Sequence, residues 1–377
     1  MTIGILKEPA DEKRVSCLPE IAGQFVKLNF EVQVEANAGA SAFAYDAEYV
    51  NAGCKISPRE IVLNSDLVIG ITLPGDGELQ KIREGAGLLC SYQPLFHQEA
   101  VLRFLNRNIT SFSMDMVPRT TRAQSMDILS SQATVSGYKA ILIAATHLPK
   151  FFPMFMTAAG SITPAKVLII GAGVAGLQAI ATAKRLGAVV EAFDTRSAVK
   201  EEVKSLGAKF VEVDGAAESS TAGGYAVEQT NEFLEKQKQV IFEHSLKSDV
   251  IICTAQIPGK KAPLLVPKET VAVMKSGSVI VDLAASTGGN CELTKNNEVY
   301  TTSNGVTIIG NSNIPSTMPA DASRMYGKNI INFLKLMLKN GTMHVNTDDD
   351  IVKGTCITHK KEIISPRVKD IISTPVA

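Results

Sequence analysis

Short apolar runs alternate with amphipathic stretches along the first 115 residues. The apolar runs predict β-strands, because they have strand length and are bounded by turn residues. The predicted strands are residues 2–6, 30–34, 67–72, 87–92 and 109–113. Helical patterns cover residues 19–28 and 98–106 between them. This alternation is typical of a parallel sheet whose strands are joined by crossover helices.

The same pattern returns after Pro164, with apolar runs that are nearly continuous. Strands are predicted at residues 166–170, 188–193, 249–253, 278–283 and 306–309. Continuous apolar runs indicate strands of a parallel sheet that is covered on both faces. Two longer helical patterns lie outside these alternations, at about residues 131–148 and 320–339.

A glycine-rich turn separates the strand 166–170 from the helical run that follows it. Its residues are Gly171, Ala172, Gly173, Val174, Ala175 and Gly176, which fit G-x-G-x-x-G. The first glycine permits a tight turn, the second lets the backbone approach a pyrophosphate, and the third lets helix and strand pack closely. Because a helix N-terminus also attracts anions, this context predicts a dinucleotide site. An ordinary βα turn is the alternative.

Asp194 ends the next strand, where an acidic side chain can accept hydrogen bonds from the adenosine ribose hydroxyls. A carboxylate would repel a 2′-phosphate, so the sequence favours NAD(H). The nearby Arg196 keeps NADP(H) as an alternative. Nucleotide sites lie at the carboxyl ends of parallel strands, which adds further candidate contacts. These are Thr195, Thr254, Ala255, Gln256 and Leu283.

These patterns predict an α/β protein of two Rossmann-like, doubly wound parallel-sheet domains, linked by two long helices with a cleft between them. The first domain is expected to be discontinuous, with residues 1–130 completed by residues 335–377. The second is expected at residues 131–334 and includes both bridging helices. The segment 215–224 is rich in glycine and polar residues, which fits a disordered surface loop or a lid over a bound nucleotide.

Composition narrows the function classes. The chain has 377 residues, with 38 basic and 38 acidic side chains, so no electrostatic reason favours nucleic acid as a partner. Its six cysteines are scattered without metal-ligand spacing, which predicts no metal site and fits a reducing compartment. The N-terminus enters a strand at once, and the uncharged run 167–183 is too short for a membrane span. We therefore expect a soluble, cytoplasmic protein.

A second candidate site lies in the polar segment 117–132. Arg119 and Arg122 are expected in a loop, and Gln124, Asp127 and Ser130 are spaced by three, as on one broad helix face. An arginine, an amide, a carboxylate and a hydroxyl could together hold a nicotinamide carboxamide, which needs donors and acceptors. The alternative is a capped helix start with solvated arginines, in which Thr121 or Ser125 is the cap.

An acid or base for a dehydrogenase is hard to find. Oxidation of a hydroxy acid or an amino acid moves a substrate proton together with the hydride. Of the five histidines, only His97 follows a predicted strand of the first domain, and no partner for it is evident.

Several motifs together resemble the NAD(H)-binding component of proton-translocating nicotinamide nucleotide transhydrogenase, over nearly the whole chain. They are Lys7-Glu8 with Arg14, residues 122–127 (RAQSMD), 171–180 (GAGVAGLQAI), 222–225 (AGGY), 257–260 (IPGK) and 288–291 (GGNC). The resemblance implies hydride transfer between NAD(H) bound here and NADP(H) on a partner component, coupled to proton movement through a membrane component. It also implies a homodimer without a membrane span of its own, peripheral at the inner face of the membrane through its partners.

The resemblance assigns roles to residues of this chain. Arg119, Gln124, Asp127 and Ser130 match the nicotinamide site, and Asp194 matches the acid on the adenosine ribose. Gly224 and Tyr225 match the mobile loop that closes on bound nucleotide. Direct transfer between two nicotinamides needs positioning rather than an acid or base, which explains why no acid or base is evident.

Two alternatives remain. Alanine dehydrogenase is similar in fold, but its pattern has a lysine in the strand corresponding to residues 67–72 and a histidine in the one corresponding to residues 87–92. Here the first strand has no lysine, and Gln93 stands near the histidine position. A non-catalytic NAD-binding regulator is the second alternative, since it would not need Arg119, Gln124 and Asp127 to converge on the nicotinamide.

Overall fold

The computed structural model describes residues 1–213, 230–257 and 259–373. The chain divides into two compact units, Met1–Gln132 with Pro315–Ala377, and Ala133–Ile314. The strands are β1 (Thr2–Ile5), β2 (Glu31–Glu35), β3 (Lys55–Ser57), β4 (Leu67–Ile69), β5 (Gly87–Cys90), β6 (Thr110–Ser113), β7 (Phe155–Thr157), β8 (Gly160–Ile162), β9 (Lys166–Ile170), β10 (Val189–Phe193), β11 (Lys209–Val211), β12 (Val250–Cys253), β13 (Val279–Asp282), β14 (Val299–Thr301), β15 (Thr307–Ile309), β16 (Leu338–Lys339), β17 (Thr342–Met343), β18 (Cys356–His359) and β19 (Glu362–Ile363).

The α-helices connect these strands. They are α1 (Pro19–Lys27), α2 (Asp46–Asn51), α3 (Arg59–Leu63), α4 (Asp76–Leu79), α5 (Gln98–Asn106), α6 (Ile128–His147), α7 (Val174–Arg185), α8 (Lys200–Ser205), α9 (Asn231–Lys247), α10 (Lys268–Val273), α11 (Pro319–Leu334), α12 (Asp350–Thr355) and α13 (Pro366–Ser373). No helix of the described residues combines the length and the apolar character needed to cross a bilayer.

The first unit is built on a sheet of order β3-β2-β1-β4-β5-β6-β18-β19. Strands β1 to β6 are parallel, and β18 and β19 extend the β6 edge in antiparallel pairing. The parallel part has the doubly wound order in which β1 and β4 are neighbours and the chain direction along the sheet reverses. The C-terminal residues thus complete the N-terminal sheet, and the first unit is discontinuous.

Helix α11 belongs to the first unit. Its buried residues Tyr326, Ile330 and Phe333 pack in the core that includes Ile3, Phe25 and Phe112. The rings of Phe112 and Phe333 meet edge to face, with centroids 5.7 Å apart. We expected residues 315–334 in the second domain and one helix over residues 320–339. The structure differs on both points: the apolar face of α11 packs in the first core, and the helix ends at Leu334 before the short strand β16.

The second unit repeats the doubly wound order in the sheet β11-β10-β9-β12-β13-β15-β14. All of its strands run parallel except β14, which pairs antiparallel with β15. Every residue of β12 and β13 is buried, as the continuous apolar runs predict. The switch point, at which nucleotides bind in such sheets, lies between the carboxyl ends of β9 and β12. The prediction of two parallel-dominated α/β domains is confirmed.

The cysteines of both units are buried and unpaired. Burial in apolar surroundings raises the pKa of Cys17 to about 12, so this thiol stays protonated and unreactive at neutral pH. Cys90 and Cys253, which end the apolar strands β5 and β12, are fully buried.

Candidate functional site

The glycine turn between β9 and α7 has no room for a side chain at its first and third glycines. Gly171 has φ +97°, and a Cβ there would lie 2.5 Å from Thr254 Oγ1. A Cβ on Gly176 would lie 1.9 Å from the carbonyl oxygen of Gly171. The first glycine therefore makes the turn, and the third lets α7 lie directly against it.

Gly173 has the opposite surroundings. Its φ of −78° is open to any residue, and no heavy atom lies within 4 Å of the position that a Cβ would take. Helix α7 begins at the next residue without a side-chain cap among the described residues. Its first backbone N–H groups therefore have no acceptor within the helix, and they lie beside a residue without a side chain. A pyrophosphate fits this place, since an anion there would accept these N–H groups at the positive end of the helix.

Helix α6 approaches the same turn through Gly137, a residue that the sequence analysis missed. A Cβ on Gly137 would lie 2.1 Å from the carbonyl oxygen of Ala175 in the first turn of α7. A glycine inside a helix lowers the stability of the helix, so its presence within the predicted helix 131–148 could have indicated close packing at this position.

Asp194, which follows β10, is joined to the glycine turn. Its Oδ2 accepts a hydrogen bond from the backbone N–H of Ala172 at 2.7 Å. Arg196 donates its backbone N–H and its Nε to Oδ1, at 2.9 and 2.8 Å, and its Nη2 to Oδ2 at 2.7 Å. The carboxylate thus lies at the carboxyl edge of the sheet beside the turn, where the sequence predicts it.

The loops after β12 and β13 bring three more predicted residues to this edge. Thr254 Oγ1 lies 2.8 Å from the carbonyl oxygen of Gly171, to which it donates. Gln256 donates its Nε2 to the carbonyl oxygen of Leu283 at 2.9 Å. These residues and the glycine turn therefore surround the switch point of the second sheet.

A buried network that sequence reasoning did not assign holds these loops. Asn290 donates Nδ2 to the carbonyl oxygens of Ala255 and Pro263, at 2.9 and 2.8 Å, and accepts the N–H of Ala255 at 3.0 Å. Asp282 in turn accepts the N–H of Asn290 at 2.8 Å. Asn290 belongs to the Gly-Gly-Asn-Cys motif at residues 288–291, and this motif could have indicated a structural role for the asparagine.

Asp282 is fully buried at the end of β13. Besides Asn290, it accepts the N–H groups of Ala284 and Cys291 and the hydroxyl of Thr294, at 2.9, 3.0 and 2.7 Å. Burial raises the pKa of the Asp282 carboxyl, and these hydrogen bonds act against that rise. The side chain serves as the anchor of the loop that carries Asn290.

The polar segment 117–132 lies in the first unit. Residues Thr121–Met126 form a 3₁₀ turn, and α6 starts at Ile128, so Gln124, Asp127 and Ser130 do not share one helix. Asp127 accepts the N–H and the hydroxyl of Ser130 at 3.0 and 2.6 Å, and so caps α6. The expected helix face is wrong, and Asp127 takes the capping role considered for Thr121 or Ser125. Arg119 and Gln124 are exposed.

Arg122 and Arg14, which the sequence analysis also names, have carboxylate partners in the first unit. Arg122 donates to both oxygens of Asp349 at 2.8 Å, and this contact lowers the pKa of the Asp349 carboxyl. Asp349 caps α12, so the pair ties the segment before α6 to the C-terminal region of the unit. Buried Arg14 is bound by both carboxylate oxygens of Glu12 and by Gln132 Oε1. These contacts give Arg14 and Arg122 a structural role.

Residues 67–72 and 87–92 contain neither the lysine nor the histidine of the alanine dehydrogenase pattern. Strand β4 is Leu67–Ile69, wholly apolar and buried. Gln93 follows β5, exposed and with φ +47°. His97 is the exposed residue before α5. The predicted loop residues Gly224 and Tyr225 lie outside the described residues.

Two doubly wound sheets, one with a glycine turn and an aspartate at its switch point, are typical of two-domain dinucleotide-binding proteins. The chain matches "Alanine dehydrogenase/PNT, N-terminal domain" over residues 4–136 and "Alanine dehydrogenase/PNT, C-terminal domain" over residues 140–366. It belongs to this alanine dehydrogenase/PNT family, which implies binding of a nicotinamide nucleotide.

Within the family, the chain is more similar in sequence to the transhydrogenases below than to the alanine dehydrogenase named after them. It is 44% identical to the first of the polypeptides that make up the NAD(P) transhydrogenase alpha subunit of Rhodospirillum rubrum, over 97% of this chain and 98% of that protein. The crystal structure of a transhydrogenase from Sinorhizobium meliloti matches with a TM-score of 0.88 and 40% identity, over 97% of this chain and all of that one. Alanine dehydrogenase of Staphylococcus saprophyticus is 27% identical, over 99% of this chain and 97% of that protein.

Proposed function

We propose that this chain is the NAD(H)-binding component of a proton-translocating transhydrogenase. It passes a hydride directly between the nicotinamide of its own NAD(H) and that of NADP(H) on a partner component. A further partner that spans the membrane holds it at the inner face of that membrane. One observation carries the nucleotide site: the open backbone at Gly173 before the uncapped start of α7, beside Asp194. The 44% identity to a transhydrogenase subunit supports the reaction.

Each element of the proposed site has separate work. The turn at Gly173 binds the pyrophosphate, and Asp194 accepts the adenosine ribose hydroxyls. Arg119 and Gln124 orient the nicotinamide and its carboxamide, and the hydrogen-bonded pair of Asp127 and Ser130 supports them. The bound nucleotide supplies the hydride. Since no proton leaves the carbon in direct transfer, positioning alone is required of the chain.

The test is hydride transfer in a stopped-flow instrument. The chain, loaded with NADH, is mixed with a purified NADP(H)-binding component that carries an NADP⁺ analogue with its own absorbance on reduction. We expect a fast burst of reduced analogue that requires both proteins. Confirmed NADH binding and docking without transfer would contradict the proposal. Addition of pyruvate and ammonia then tests alanine dehydrogenase chemistry, which the apolar strand β4 disfavours. If NADH is not oxidised with these substrates either, a non-catalytic NAD-binding regulator is the remaining function.

Asp194→Ala is expected to weaken NADH binding about tenfold and to narrow the preference for NADH over NADPH. Loss of the ribose acceptor is expected to cost about 1.4 kcal/mol of NADH binding, and loss of the charge that repels a 2′-phosphate favours NADPH. Equilibrium dialysis of both nucleotides measures the effect. An unchanged preference would contradict the ribose assignment.

Gln124→Asn is expected to slow the burst of hydride transfer by about 10- to 100-fold while changing the NADH dissociation constant less than about threefold. A shortened amide removes ring positioning and little binding energy. Stopped-flow rates and equilibrium dialysis on the same preparation separate the two. Equal losses in rate and affinity would rule out a positioning role.

We infer that the hairpin β7–β8 contributes to a homodimer interface. Phe151, Met154 and Met156 are exposed around it, and the Phe151 and Phe155 rings meet at 4.7 Å. An isolated two-stranded hairpin is only marginally stable in water, and exposed apolar clusters mark association surfaces. A second copy is the expected partner, since the resemblance implies a homodimer.

Met156→Glu is expected to raise the dimer dissociation constant about 30-fold or more, because it buries an unpaired charge in the interface. Met156 is 77% exposed in the single chain. Sedimentation equilibrium measures the change. Val273→Glu is the matched control, since this residue is 57% exposed in the same unit, on α10. Equal behaviour of the two variants would place the interface elsewhere.

A further inference from the structure

The carboxylate of Asp194 has no accepting capacity left over. It accepts the N–H of Ala172 and the Nη2 of Arg196 on Oδ2, and the N–H and Nε of Arg196 on Oδ1. A carboxylate offers about four lone-pair sites, so four donors occupy it fully. Three of the four donors belong to one residue, Arg196.

The proposed function requires this carboxylate to accept hydrogen bonds from the ribose diol. Ribose hydroxyls can reach Asp194 only if donors leave it. The N–H of Ala172 is fixed in the glycine turn, and the N–H of Arg196 follows the carboxylate by two residues of main chain, so neither can leave without a backbone change. The guanidinium can leave by side-chain rotation alone, because the Arg196 side chain is 27% exposed whereas that of Asp194 is 6% exposed.

We propose that the Arg196 guanidinium is an internal competitor of the adenosine ribose for Asp194. Nucleotide binding exchanges the Nε and Nη2 hydrogen bonds for those of the ribose hydroxyls. This inference rests on the proposed function. The binding energy of the ribose is reduced by the ion pair that it replaces, which lowers NADH affinity.

The displaced guanidinium also affects selectivity. Arg196 keeps its charge, and a guanidinium matches the geometry of a phosphate. Next to the ribose, it would pair with a 2′-phosphate and partly offset the repulsion from Asp194. Arg196 therefore lowers the affinity for NADH and raises that for NADPH, so it narrows the difference between the two nucleotides.

The test compares Arg196→Met with the natural chain in equilibrium dialysis of NADH, NADPH and reduced nicotinamide mononucleotide. Methionine keeps an unbranched apolar chain in place of the methylene groups of the arginine and removes the guanidinium donors. The mononucleotide has no adenosine ribose and reports on the rest of the site. Arg196→Lys keeps the charge without the two-pronged contact. Arg185→Met is the matched control, since Arg185 is an exposed arginine at the end of α7.

For Arg196→Met we expect the NADH dissociation constant to fall about five- to tenfold, the loss of one to two competing charge-assisted hydrogen bonds. The NADPH constant rises, and the mononucleotide constant and all constants of Arg185→Met stay within about twofold. Arg196→Lys lies between the natural chain and Arg196→Met for NADH.

Unchanged or weaker NADH binding by Arg196→Met would overturn the inference, and so would an equal change for the mononucleotide. If the methionine variant does not fold, the lysine variant decides by the same criteria. Failure of the natural chain to bind NADH would remove the proposed function and this inference together. Binding by the natural chain without an effect at Arg196 removes the inference alone.

Discussion

Gly173→Ala is expected to remove most NADH binding while leaving the protein at least as stable as before. The added Cβ meets no atom of the chain within 4 Å, and φ is −78°, so alanine fits without strain. Replacing glycine at such a position stabilises a fold by about 0.4–1 kcal/mol through the unfolded state. In the proposed site, the same Cβ stands where a pyrophosphate would approach the backbone. We expect affinity to fall about 30- to 100-fold, equal to about 2–3 kcal/mol.

The measurement pairs equilibrium dialysis of NADH with thermal unfolding, and Gly176→Ala is the matched variant. Its Cβ would lie 1.9 Å from the carbonyl oxygen of Gly171, so the turn or the helix must move. We expect it to lose about 3 kcal/mol of stability together with binding. Gly173→Ala with natural affinity would mean that the turn is an ordinary βα connection and holds no pyrophosphate.

The contrast between these glycines shows what the sequence could and could not reveal. The spacing of Gly171, Gly173 and Gly176 predicted the turn and its place before a helix, because backbone requirements of this kind are local. Gly137 serves the same turn by letting α6 approach Ala175, and it was not predicted. It lies far from the turn in sequence, and only the packing of two helices makes its lack of a side chain necessary.

The strands likewise divide into those that a local sequence pattern predicts and those that it does not. The buried strands β9, β12 and β13 were predicted from continuous apolar runs. Strands β3, β11, β14 and β18, and the β7–β8 hairpin, were not predicted as strands. The first three and both hairpin strands have only three residues each and lie at edges or in the hairpin, where exposed residues break the apolar pattern. Strand β18 is buried but pairs with β6 more than 240 residues earlier in the chain, and no local pattern encodes that contact.

Within the polar segment 117–132, spacing by three suggested one helix face for Gln124, Asp127 and Ser130. The chain instead changes from a 3₁₀ turn to an α-helix at Asp127, whose ψ of 97° is extended. An aspartate three residues before a serine is also an ordinary capping pattern, and residue identity alone cannot separate a cap from a ligand. In this structure the cap is formed, so Asp127 and Ser130 form a pair whatever they bind.

A second prediction concerns the buried network that holds the loops after β12 and β13. Asp282 is reached by four donors from the residues that follow β13, and one of them belongs to Asn290. Asn290 alone makes three hydrogen bonds to Ala255 and Pro263 after β12. The loop positions of two neighbouring strands therefore depend on one carboxylate.

Asp282→Ala is expected to lower the free energy of unfolding by about 3–5 kcal/mol, because it leaves four buried donors without their acceptor. The same change frees the loop of Asn290, so the protein that remains folded should bind NADH about tenfold more weakly. Urea unfolding and equilibrium dialysis at low temperature measure the two effects. Asp348→Ala, at an exposed carboxylate, is the control and should change stability by less than about 0.5 kcal/mol.

Asn290→Ala separates the effect on stability from the effect on NADH binding. It keeps the Asp282 acceptor for the main-chain donors, so it should reproduce the loss of NADH affinity with a smaller loss of stability. Full NADH affinity in both variants would show that Thr254 and Ala255 do not contact the nucleotide.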